Sequence, residues 1–216
     1  MKLSKHFLYV LTLALLGLSS ALALATNDAD RQLLEAVESG SVTQVKQAIA
    51  AGANPDAYFG PRFEEKPMCI ATQQGFENVL MALLEAGANA NILYPNPDIF
   101  SHDPLRCAIH SKNLQAFKLL HEAGAEIDRS LCATCSTEVL RTVLVPALSP
   151  DSFDIARYIM TNSEVPASYV RPMKNVINKR AVYADDKTLE DREWIANWLR
   201  ARGMEVTPRE PWPARH

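Results

Sequence analysis

No run of lysine and arginine interrupts these 216 residues, which carry 22 basic against 25 acidic side chains. Without a basic stripe the chain offers no footprint for a phosphate backbone, and nucleic acid is not an expected partner. Beyond residue 25 no apolar stretch approaches the ~20 residues that cross a bilayer, so no membrane insertion is expected of that part. Reaction signatures are missing as well: there is no Ser-centred elbow, no phosphate-cradling glycine loop and no Glu-flanked histidine pair. Only Cys132 and Cys135 stand at metal-ligand spacing, and no second pair follows them. His102, His110 and His121 are scattered, so neither a metal nor a cofactor is expected. The acid pairs Asp185-Asp186 and Glu190-Asp191 have no apolar surroundings in the sequence and read as a solvated surface. The chain is therefore read as non-enzymatic.

What is present begins with an address. Lys2 and Lys5 precede an apolar run from His6 to Leu18. Ala21-Leu22-Ala23 and Ala23-Leu24-Ala25 supply small-x-small sites, and Thr26-Asn27-Asp28 turns polar. This is the three-part pattern of a secretory signal peptide over 1–25, with cleavage after Ala25. It places the remainder, 26–216, in a periplasmic or secreted setting. Loss of Lys2 and Lys5 takes the formal charge from −3 to −5. All four cysteines, Cys69, Cys107, Cys132 and Cys135, fall in the exported part, where disulfides are permitted. Four cysteines allow three connectivities, and the sequence does not choose among them.

A phrase then recurs. Leu-Leu-Glu-Ala-Gly-Ala-Asn occupies 83–89, Leu-Leu-His-Glu-Ala-Gly-Ala-Glu occupies 119–126, and 49–54 is a weaker copy. The Gly-Ala pairs begin at Gly52, Gly87 and Gly124, steps of 35 and 37 residues that signal stacked helical units. Pro67 and Pro104 open helices in the second and third units, and Gly75 and Lys112-Asn113 turn the chain into the next helix. Apolar positions in 76–84 and 114–120 fall at helical spacing. A fourth unit starts near Val143–Ala147, and a fifth runs from Pro172–Ile177 to Trp194–Leu199. Trp194 and Trp198, four apart, are expected to pack against the fourth unit.

This layout resembles the ankyrin repeat family over about 28–206. The family's opening phrase is Thr-Pro-Leu-His-x-Ala. Pro67 and Pro104 match its Pro, Leu105 its Leu, and Ala71 and Ala108 its Ala. Lys66 and Asp103 stand at the Thr position, and Cys69 and Arg106 at the His position, so the hydrogen bonds those residues supply in the family are expected to be absent. The resemblance implies an all-α solenoid of about five helix-turn-helix units, near 28–57, 63–93, 100–128, 138–166 and 168–206, with a polar, Pro-rich tail over 207–216. It also implies a binding protein, monomeric alone, with a protein partner.

The hairpin loops lengthen along the chain: the step is 15 from Gly52 to Pro67, 17 from Gly87 to Pro104 and 19 from Gly124 to Val143. Insertions in repeat proteins gather on one face, often the binding face. The first loop holds Tyr58, Phe59, Arg62 and Phe63, and the second holds Tyr94, Phe100 and His102. Aromatic and Arg side chains anchor protein interfaces, so these seven are the expected partner-binding residues. Cys132 and Cys135 sit in the third loop, where a structural disulfide staples a segment with little core; thiol–disulfide exchange at that pair is the alternative function. Cys69 and Cys107, near equivalent points of two opening helices, either pair or remain buried thiols. Two concrete roles fit a periplasmic binder: an immunity protein that inhibits a co-encoded toxin, and a protective partner of an oxidative-stress enzyme such as catalase, which the resemblance to periplasmic ankyrin proteins implies.

Overall fold

Each of the first three repeats is built from two short helices joined by a tight turn. The computed structural model describes residues 28–59, 66–92, 103–127, 144–179 and 185–208, and all regular structure among them is helical. Helix α1 covers residues 28–38 and is followed by α2 (Val42–Ala50), α3 (Pro67–Gln74), α4 (Glu77–Glu85), α5 (Pro104–His110) and α6 (Leu114–Glu122). Then come α7 (Leu144–Ala147), a 3-10 turn (Pro150–Ser152), α8 (Phe153–Asn162), α9 (Ala167–Lys179) and α10 (Asp186–Arg200). By contact density the chain divides into two units, 28–71 with 78–88, and 72–77 with 89–208.

In the first unit, α1 buries Ala29, Leu33, Ala36 and Val37, a spacing of four, three and one that keeps them on a single stripe. Helix α2 answers with Val45 and Ala48, and α4 with Val79, Leu80, Ala82 and Leu83. Ser41 caps α2 by accepting from the Gln44 N–H. Where α4 ends, Gly87 has φ +91°, and the Ala88 N–H reaches back to the Leu83 carbonyl at 3.0 Å. A Cβ would be strained in that left-handed conformation, which is why glycine follows the helix. The same backbone bond closes α2, from Ala53 to Ala48, and in the second unit it closes α6, from Ala125 to Leu120.

The second unit holds the later repeats. Helix α5 packs on α6 and α7, and α8 packs on α6, α7 and α10. Asn113 does double duty at the α5–α6 turn: its Oδ1 accepts from the Ala116 N–H at 2.9 Å and its Nδ2 donates to the Thr72 carbonyl at 3.1 Å. Asn91 links successive hairpins in the same manner, donating to the Gly124 carbonyl at 2.8 Å and accepting from the Glu126 N–H at 2.9 Å. These side-chain amides satisfy backbone groups that the turns leave without helical partners.

Several expectations are revised here. The opening of α5 keeps its capping hydrogen bond, because Asp103 Oδ1 accepts from the Arg106 N–H at 2.7 Å; a carboxylate serves where the family has a Thr hydroxyl. Pro172 does not open the fifth unit. It lies inside α9, which begins at Ala167 and buries Tyr169, Met173 and Ile177 at four-residue spacing. The charged stretch from Asp186 to Glu193 forms the first half of α10, with Asp185 as the cap that accepts from the Thr188 N–H. A hydrogen bond with the Thr188 side chain, together with that backbone bond, holds the Asp185 carboxyl below the usual carboxylate range.

The acid pair Glu190-Asp191 is also only half solvated. Asp191 is 5% exposed and receives the Arg157 guanidinium of α8 at 2.9 Å, while exposed Glu190 accepts from the same nitrogen at 3.3 Å. The Asp191 hydrogen bond is the largest of the influences that push the Arg157 guanidinium above its ordinary pKa. Arg157 lies 5.3 Å from the centre of the Trp194 ring, so Trp194 meets the fourth repeat as expected, through a cation over its face. Trp198 stacks instead on Arg202, just beyond the C-terminus of its own helix, at 3.4 Å.

Two substitutions test this arrangement. Arg157→Ala leaves Asp191 buried without its cation. Discounted for the partial exposure of Arg157, the expected loss is about 2 kcal/mol in urea unfolding, and an unchanged midpoint removes the pair from the account of how α8 and α10 hold together. Lys112 adopts φ 57° and forms an exposed ion pair with Asp151 at 2.8 Å. Relief of the left-handed strain outweighs that pair, so Lys112→Gly is expected to add roughly 0.5–1 kcal/mol; a lower melting temperature contradicts this.

Candidate partner-binding site

The first hairpin loop begins with Asn54-Pro55-Asp56-Ala57. The Ala57 N–H donates to the Asn54 carbonyl at 3.0 Å, and Pro55 takes the second position of this four-residue turn, where its fixed φ fits. Asn54 Oδ1 accepts from the Asp56 N–H at 3.0 Å, and the Asn54 N–H itself donates to Asp30 Oδ1 of α1 at 2.6 Å. The turn is thus braced from within and from the neighbouring helix. The second loop repeats the design: the Ile92 N–H donates to the Asn89 carbonyl at 2.9 Å, and Asn89 Oδ1 accepts from the Asn91 N–H at 2.9 Å.

Ala57 is buried and fixes the exit of the first turn; the next two residues project. Tyr58 is 41% exposed and Phe59 37%, which makes them two of the three large apolar side chains exposed among the described residues. Tyr58 is not free to swing. The buried Lys66, one residue before α3, places its Nζ 5.5 Å from the Tyr58 ring centre. An ammonium withdrawn from water gains from the negative ring face, and the ring gains a fixed base. The result is a Tyr58 ring held in place beside Phe59 before any partner arrives, which lowers the ordering cost of binding.

Of the seven residues expected to bind a partner, Tyr58 and Phe59 therefore stand together at one tip. Arg62, Phe63, Tyr94, Phe100 and His102 lie outside the described residues, as do Cys132 and Cys135. Asn54 and Asn89 set a common register, in which Phe59 and Tyr94 each follow their turn asparagine by five residues. Sequence reasoning missed the part played by Lys66 and the exposure of Met81. Lys66 was read only as the occupant of the Thr position. Met81, on α4, is 38% exposed. Its signal was in the sequence: Val79 to Leu84 are all apolar, and six consecutive residues of a helix cannot share one face.

The remaining pair of thiols is settled. Cys69 and Cys107 form a disulfide, and their side chains sit in residues only 0% and 3% exposed. No described residues group into a set of three or more His, Cys, Asp or Glu able to hold a metal ion.

Residues 33–130 match the family model of ankyrin repeats, in three copies. Over that segment the chain is similar to ankyrin repeats, and the paired helices agree with that architecture. Ankyrin repeats are generally protein–protein interaction modules. No curated protein matches the chain.

The disulfide closes a loop of nearly forty residues, for which chain entropy gives about 4 kcal/mol. Replacing Cys69 and Cys107 together by Ala is expected to remove roughly 2–4 kcal/mol of stability under oxidising conditions. Equal urea midpoints for the wild type and the double variant would contradict this.

Proposed function

We propose that this protein is a non-catalytic binder of another protein in the bacterial periplasm, and that the Tyr58–Phe59 tip is part of its grip. The observation that carries the reading is the exposure of two adjacent rings on a braced turn, one of them seated over a buried ammonium. Isolated exposed apolar residues are ordinary; two adjacent rings on a braced loop tip, one of them fixed, have the composition of an interface anchor. On composition and loop length, Arg62, Phe63, Tyr94, Phe100 and His102 are proposed as further binding residues. The export segment 1–25 and the Cys69–Cys107 disulfide support an oxidising compartment.

The first version of this role is an immunity protein that plugs a toxin encoded beside it; the second is a protective partner of an oxidative-stress enzyme such as catalase. They differ in what binding does to the partner. An immunity protein abolishes the activity of the neighbouring gene's product at one-to-one stoichiometry, whereas a protective partner leaves catalase active and prolongs its life under peroxide.

The test uses the tagged chain 26–216 on a periplasmic extract under non-reducing conditions, with the captured protein identified and its affinity remeasured. Phe59→Ala is expected to weaken that complex by about 2 kcal/mol, close to thirty-fold, without changing the melting temperature. Unchanged affinity in both Phe59→Ala and Phe100→Ala would move the interface away from the loop tips.

A further inference from the structure

The second unit carries a groove that the loop tips do not explain. Helix α8 ends at Asn162, the chain turns through 164–166, and α9 begins at Ala167. Between this turn, the start of α9 and the segment after α10 lies a groove of about 730 Å3. Its volume is in the range of pockets that bury a ligand's side chains, roughly 300–1,000 Å3. The lining is aliphatic at Val165, Pro166, Val170 and Met204, and all four are at least partly exposed.

The charge at its edge is unbalanced. Among the described residues, Arg171 and Arg202 line the groove against one carboxylate, Glu164. Arg171 makes no hydrogen bond or ion pair with any described residue. The Arg202 guanidinium lies flat on Trp198, 3.4 Å from the ring centre, and donates to the Trp198 carbonyl at 3.3 Å. Stacking fixes its direction and leaves its charge without a carboxylate. In a chain of net charge −3, two guanidiniums that lack a carboxylate partner among the described residues, beside aliphatic surface, make a local exception. Guanidinium forks match carboxylates in bidentate geometry, and the aliphatic lining matches branched side chains.

We propose that this groove docks an extended, acidic and aliphatic segment of a partner protein. Its carboxylates would meet Arg171 and Arg202 while a leucine or valine between them covers Val165, Val170 and Met204. The inference rests on the reading that the protein binds proteins, but it uses a surface separate from the Tyr58–Phe59 tip.

The test is fluorescence anisotropy with the labelled peptide Gly-Asp-Val-Glu-Leu-Asp-Gly and the isotope-labelled protein, followed by amide shift mapping. Saturable binding is expected, with shifts confined to 164–171 and 202–204. Affinity is expected to fall at least about ten-fold in the double variant Arg171→Glu, Arg202→Glu, and to weaken with salt. Phe59→Ala is expected to bind the peptide like the wild type, which separates this site from the loop tip. Circular dichroism confirms that the exposed variants remain folded. The proposal is overturned by an absence of binding up to about 1 mM, by shifts that fall elsewhere (including 58–59), or by equal affinity for Gly-Lys-Val-Lys-Leu-Lys-Gly. It is also overturned if decanoate alone fills the groove, which would make it a fatty-acid site. Self-association lost in the double variant would likewise overturn it, making the occupant a second copy. Loss of the captured partner on Phe59→Ala with no peptide binding would leave the loop-tip reading standing and remove this one.

Discussion

Everything in this fold follows from the shortness of its helices. Those of the three clear repeats, from α2 to α6, run to only 9, 8, 9, 7 and 9 residues. Isolated helices below ~12–15 residues are marginal in water, so none of these is held by its own hydrogen bonds. They persist because they bury apolar side chains and because several of their ends are closed by named devices: Ser41, Asp103 and Asn113 at N-termini, and left-handed turns at 87 and 124 at C-termini. Asn91 and Asn113 then use side-chain amides to join backbone groups 33 to 41 residues apart. Such an assembly is stabilised between neighbours rather than around one centre.

The features legible in the sequence are those imposed by backbone geometry. A glycine after a helix, a proline at its first position and a turn asparagine are demanded by φ and by unpaired N–H groups, so they recur where the fold recurs. The fourth and fifth repeats are harder to read for the same reason. Helix α7 has four residues, Pro146 among them, and α9 tolerates Pro172 in its interior, so proline there no longer marks an opening. The Asp191–Arg157 contact was illegible because its partners lie 34 residues apart and neither residue type announces burial. Asp103 was misread for a chemical reason: a carboxylate and a hydroxyl cap a helix equally well, so a departure from the Thr pattern cost no hydrogen bond.

The candidate site divides along similar lines. Composition and loop length pointed to Tyr58 and Phe59, and both project as a binding tip requires. What composition does not show is rigidity, which arises from the paired turn bonds at Asn54, the brace from Asp30 and the ammonium of Lys66. An interface of this kind depends on residues that never touch the partner. Two rings presented by a loose loop and two presented by a braced one have the same sequence signature and different affinities.

The burial of the disulfide has a consequence for timing. With Cys69 and Cys107 at 0% and 3% exposure, neither an oxidant nor an oxidoreductase reaches the sulfurs once the helices have closed over them. The bond must therefore form while the chain is still open. A molecule that folds before oxidation seals two thiols inside, and one oxidised first carries a cross-link that later reductants do not reach. The same sequence thus has two long-lived covalent forms, and which one a given molecule adopts is a record of where it folded rather than of where it is found.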